Sequence, residues 1–113
     1  MVRRALESKG LRVSESRVRY KTLDGGMVEE NRITGYSGDG SVKVTYQEFS
    51  DGRKRLSILA RGGRATRRAG ERAEAHGGKV DLEEGERLYA VFDNVDPRRA
   101  EEILDDVLAE GDS

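Results

Sequence analysis

The feature that most restricts the fold is a change of hydrophobic period near the middle of the chain. Before Gly62-Gly63, apolar side chains recur mainly at every second position; beyond it, they recur mainly every third or fourth. A period of two belongs to strands with one face on a core, and a period near 3.6 belongs to helices with one buried stripe. A chain with the first pattern followed by the second lays helices on a sheet that its earlier residues have begun.

In the first half, Val2, Ala5 and Leu6 mark one side of a short helix over residues 1–9, stopped by Gly10. So short a helix is unstable alone and must dock. Strand-like alternation follows. In residues 17–23, Val18, Tyr20 and Thr22 alternate with Arg17, Arg19 and Lys21. Met27–Tyr36 is a less regular strand, and in residues 41–49 Val42, Val44 and Tyr46 alternate with Lys43, Thr45 and Gln47. Leu56, Ile58 and Ala60 mark the inner side of a fourth strand. Asp24-Gly25-Gly26, Ser37-Gly38-Asp39-Gly40 and Ser50-Asp51-Gly52-Arg53 separate these segments with the residues that tight turns require.

In the second half, Ala65, Ala69 and Ala73 predict a helix over 64–76, ended by Gly77-Gly78. Two short strands, 79–82 and 87–92, flank Glu83-Glu84-Gly85-Glu86. Asp96-Pro97 starts a last helix, because aspartate caps free amides and proline at the first helical position loses no bond. Its apolar stripe is Ala100, Ile103, Leu104, Val107 and Leu108; its other side is acidic. The predicted fold is therefore α+β, an antiparallel meander of about four strands followed by strand-helix-strand-strand-helix, the ferredoxin-like half unit. The chain, 1–113, reads as one domain: 1–60 the meander with its N-terminal helix, and 61–113 the helices and short strands. Both long helices are expected on one face. The other face, left in water, is expected to carry Arg17, Arg19, Lys21, Lys43 and Arg55.

Composition narrows the chemistry. There is no cysteine, hence no disulfide framework and no thiolate chemistry, and a single histidine, His76. No apolar run approaches the length of a membrane-spanning helix, and Arg3-Arg4 is not followed by a signal-peptide core; a cytoplasmic protein is expected. Net charge is −1, yet residues 1–72 hold 17 Lys/Arg against 9 Asp/Glu, whereas residues 73–113 hold 4 against 13. Such asymmetry points to a polyanionic partner for the first part, or to pairing between the two parts.

The stretch Gly62-Gly63-Arg64 and its arginine-rich continuation lacks both the Walker lysine and the dinucleotide glycine spacing. An acyl-CoA-binding turn of the acetyltransferase type would suit a strand-to-helix junction, but those enzymes want glycine where this chain has Arg64. On one helix, Arg61, Arg64, Arg68 and Arg72 would form a single stripe beginning at the N-terminus, where free amides also favour anions. A solvated face paired with the acidic last helix is the ordinary alternative. Of the aromatics, most fall on positions expected to face inward, with Phe49 and Tyr36 as the exceptions, which argues for backbone contacts rather than base stacking. His76 suits a helix C-cap. Adjacent acid pairs diverge on a helix or strand and so do not converge on a metal, and no nucleophile stands near a base at a telling spacing.

The sequence thus predicts a small non-enzymatic binding protein with no cofactor or metal. Its partner would be an RNA or DNA backbone or another polyanion, held by Arg17, Arg19, Lys21, Lys43, Arg55, Arg61, Arg64, Arg68 and Arg72. The alternative is a protein–protein or self-associating module, a homodimer included, that joins basic to acidic halves; an acyl-CoA-binding transferase is the last choice.

Overall fold

The structure, a computed structural model describing residues 1–109, turns the alternating half into a four-strand meander. Helix α1 (Val2–Ser8) precedes β1 (Arg12–Lys21), β2 (Met27–Tyr36), β3 (Val42–Phe49) and β4 (Lys54–Arg61). The β1–β2 and β3–β4 turns share one design. Gly25 donates to the Thr22 carbonyl (3.1 Å) and Gly52 to the Phe49 carbonyl (3.0 Å), each glycine at positive φ (87° and 94°). That conformation strains any residue with a Cβ.

Beyond β4 the chain makes a 3-10 turn (Gly62–Arg64), α2 (Arg67–Ala75), β5 (Lys79–Glu83), β6 (Arg87–Asp93) and α3 (Pro97–Val107). The sheet order is β1-β2-β3-β4-β6-β5, with all neighbours antiparallel. Because β6 inserts between β4 and β5, β4-α2-β5-β6-α3 is the split half unit that the sequence predicts, joined to a meander.

One face of the sheet holds the core. Val42, Val44 and Tyr46 of β3, Leu56 and Ile58 of β4, and Ala90 and Phe92 of β6 pack in one cluster with Leu6 of α1, Ala73 of α2, and Ile103 and Leu104 of α3. The Tyr46 hydroxyl donates to the Val95 carbonyl at 2.8 Å, which ties the β6–α3 connection to the sheet. Asp96 caps α3 through the Arg99 amide (2.8 Å), and Thr66 caps α2 through the Ala69 amide (3.0 Å). Gly78 is required where it stands: a Cβ there would lie 2.5 Å from the Phe92 ring.

Three expectations need correction. β1 starts at Arg12, not at residue 17, because Val13 is followed by Ser14, Glu15 and Ser16, which are polar toward both sides and break the alternation. α2 starts at Arg67, not at residue 64, because the preceding glycines wind a 3-10 turn and Thr66 supplies the cap. The third concerns facing. Val44, fully buried, lies opposite Gly35, which lies opposite Val13; the same parity carries Arg17, Arg19 and Lys21 to the helix side of the sheet. Val18 and Tyr20 take the other side. The helices stop short of this end of β1, so its helix-side residues remain exposed.

Candidate functional site

Among the described residues the six strands leave one face with no helix on it, and the register arranges that face in transverse rows. One row reads Tyr36, Lys43, Leu59 and Tyr89 from β2 to β6. The next, two residues along each strand, reads Ser14, Thr34, Thr45, Ser57 and Val91. A third reads Ser16, Arg32, Gln47, Arg55 and Asp93. Consecutive rows on one face stand about 7 Å apart, so the two outer rows are separated by about 14 Å. From β2 to β6 the middle row is Thr34, Thr45, Ser57 and Val91, shorter than the side chains on either side, and this difference in length outlines a shallow trough across the strands.

Its walls differ in chemistry. Tyr36 and Tyr89 are 45% and 42% exposed, and the Lys43 ammonium lies 5.6 Å from the centre of the Tyr36 ring. On the other wall, Arg55 pairs with Asp93 at 2.9 Å. Tyr20, 38% exposed, and Phe49 sit further along the same face, and the Arg53 guanidinium lies 4.6 Å from the Phe49 ring centre. Of the six aromatic residues only Tyr46 and Phe92 face the core. The expectation that Tyr20 and Tyr89 point inward is overturned by the register, which sets Tyr89 opposite Leu59 rather than opposite Ile58.

The basic sheet residues singled out in the sequence therefore do not share a surface. Lys43 and Arg55 lie on the open face; Arg17, Arg19 and Lys21 lie on the other side of the β1–β2 ribbon. Arg17 donates to Asn31 at 3.0 Å and pairs with Glu29 at 3.4 Å.

Sequence reasoning also missed a buried carboxylate on the open side. Glu30 has no exposed surface, although it points away from the core. Tyr20 donates to it at 2.5 Å, Arg32 at 2.9 Å, and Gln47 as well. Burial alone would raise its pKa, but the hydrogen bonds from Tyr20, Gln47 and Arg32, with the Arg32 charge, outweigh that and hold it below the usual range. The same bond raises the Tyr20 phenol, since the proton it donates is held by the carboxylate. No local signal marks it, because its enclosure depends on the cross-strand register of Glu30 with Val18 and Phe49, which no periodicity reveals.

The arginine stripe is dispersed. Arg61 ends β4 on the open face, opposite Arg87; Arg64 lies in the 3-10 turn; only Arg68 and Arg72 share helix α2. Arg64 donates to the Leu108 carbonyl (3.4 Å) and Arg72 to that of Asp106 (3.3 Å), so both face the C-terminal end of α3. Arg72 also lies 3.8 Å from the Asp106 carboxylate. His76 is the C-cap of α2, and its Nε2 is 2.9 Å from the other Asp106 oxygen, a link to α3 rather than a cap alone. Lys9 reaches Asp105 at 2.5 Å, and Arg67 lies 3.6 Å from Glu84. Part of the positive half is thus paired with the negative half inside one fold.

Among the described residues no three potential ligands converge on a metal position, and no helix is long and apolar enough to cross a membrane. No protein family, curated protein or solved structure matches the chain, so its chemistry is read from this geometry alone.

Proposed function

We propose that the protein binds single-stranded nucleic acid, RNA or DNA, in the trough on its open sheet face, and acts by binding rather than catalysis. The observation that carries this reading is the row Tyr36, Lys43, Leu59, Tyr89: two exposed phenol rings on one uncovered surface, with a cation between them. Bases stack on such rings whatever their sequence, at about 1–3 kcal/mol per base. The rings are three strands apart, about 14 Å, and so engage different bases. Ser and Thr hydroxyls between the walls offer donors and acceptors to the sugar-phosphate chain.

Charge has the smaller part. Arg55 is paired with Asp93, and Arg87 lies 3.4 Å from Asp81 and 3.7 Å from Glu83. With Lys43, Arg55, Arg61 and Arg87 all on phosphates, the logarithm of affinity falls with log salt at a slope of about −2.8, and acid neighbours make it shallower. Pairs such as Lys9–Asp105 and Arg72–Asp106 already join basic to acidic residues within one chain, which leaves fewer charges for self-association through complementary halves.

Fluorescence anisotropy with labelled oligo-uridine and oligo-thymidine tests the reading. Tyr36→Ala and Tyr89→Ala are each expected to weaken binding by about 5- to 150-fold, which is the stacking range converted. No binding at low salt, or binding unmoved by both substitutions, overturns it.

A further inference from the structure

The sheet has two edges of different character. β5 is five residues long and packs against α2; Gly70 of that helix lies against Leu82 and Val80. β1 spans ten residues, pairs only with β2 among the described residues, and holds its register from Arg12↔Tyr36 to Lys21↔Met27 without a bulge. The Thr22 amide bonds the Gly26 carbonyl at 2.9 Å, which sets the phase of the ladder. Residues of even number turn their backbone groups toward β2. Val13, Glu15, Arg17, Arg19 and Lys21 consequently turn N–H and C=O outward. A long, regular edge of this kind is a template for a further strand.

Charge selects the strand. The outward-bonding residues carry three cations and one acid, and Arg12 adds a fourth cation on the same strand. Glu15 is engaged by Arg3, and Arg17 by Glu29. Arg19 and Lys21 have no ion-pair partner among the described residues. Like charges directly opposite one another destabilise a strand pair, so a second copy of this positively charged edge is a poor occupant. An acidic strand sets opposite charges across from all three cations. At the ribbon tip, Leu23 and Met27 are exposed beside Lys21 and offer apolar surface at one end.

We propose that the β1 edge accepts an extended acidic segment of a partner protein as a seventh strand, bonded through the backbone of Val13, Glu15, Arg17, Arg19 and Lys21. The cations involved lie on the helix side of the ribbon, so this site is independent of the trough.

Amide hydrogen exchange followed by NMR on the full chain tests this, with a capped peptide of alternating glutamate and threonine as the probe. At saturation, the outward amides of residues 13, 15, 17, 19 and 21 are expected to slow by about tenfold or more, while those of residues 14, 16, 18 and 20 stay as they were. Arg19→Glu with Lys21→Glu is expected to abolish the effect; unchanged slow exchange at the even residues certifies that the sheet is intact. An equal response to a control peptide of alternating lysine and threonine, or no protection at millimolar glutamate-threonine peptide, overturns the proposal. Protection of the same odd residues in concentrated protein alone also overturns it, because it assigns the edge to a second copy.

Discussion

β1 and β3 carry almost the same pattern and behave differently. Val42, Val44 and Tyr46 of β3 face the core and Lys43, Thr45 and Gln47 face water, as alternation predicts. In β1 the same rule inverts: Val18 and Tyr20 take the open side, and Arg17, Arg19 and Lys21 the helix side. Alternation states that two sets of side chains part company; it does not state which set meets a core. That is decided by register and by where the helices end. β3 lies beneath α3 and its neighbours, whereas β1 beyond Val18 faces β2 alone among the described residues, in a two-stranded ribbon. Val18 and Tyr20 instead meet the enclosed Glu30 on the open side, Val18 as its cross-strand neighbour and Tyr20 as its hydrogen-bond donor.

The largest expected contrast is in stability. Tyr46→Ala removes a buried ring and leaves the Val95 carbonyl without its donor, and is expected to cost about 3–5 kcal/mol. Arg19→Ala, on the exposed ribbon, is expected to stay within about 0.5 kcal/mol. Urea denaturation measures both. A sharper comparison makes one swap in both strands. Val44→Thr buries a hydroxyl and is expected to cost about 1–3 kcal/mol, while Val18→Thr stays within about 0.5 kcal/mol. Equal costs would mean that Val18 is as enclosed as Val44, and the register argument would fail.

A smaller effect is expected in acid. Glu30 has a lowered pKa in the folded chain, so it contributes stability that is present above its unfolded value, about 4.3, and is lost as pH falls through the folded value. Glu30→Gln lacks that contribution. The stability gap between the native protein and Glu30→Gln is therefore expected to shrink as pH falls below about 4. Asp39, held at about 2 by the Ser41 hydroxyl and amide and by Ser37, keeps its share in both proteins and so cancels from the gap. A gap that widens in acid contradicts the assignment of Glu30 as an ionised, fully bonded carboxylate.

The fold was legible wherever local chemistry agrees with tertiary context. The glycine turns, the Asp96-Pro97 start, the stripe of α3 and the split half unit all follow from residues near one another in sequence. The site was legible only in part. Lys43 and Arg55 are where alternation puts them because β3 and β4 sit over the core. The facing of Tyr89 depends on β6 entering between β4 and β5, a long-range event with no local mark. The Glu30 cluster draws on three strands, and its apparent contradiction, a charged residue fully enclosed on a solvent-side face, is resolved by Tyr20, Arg32 and Gln47 arriving from strands on both sides and from its own. The arginine stripe was misread because a helix was extended back through two glycines that instead make a 3-10 turn.

The central claim is that the working surface is the open side of the sheet, not the full set of cations that the sequence offers. An NMR titration of isotope-labelled protein with a single-stranded oligonucleotide tests it in one experiment, because Arg17, Arg19 and Lys21 serve as the internal comparison. Shifts are expected to concentrate at Tyr36, Lys43, Leu59, Arg55 and Tyr89, with the ribbon cations unmoved. Shifts confined to Arg17, Arg19 and Lys21, or spread over α2 around Arg68 and Arg72, would contradict it.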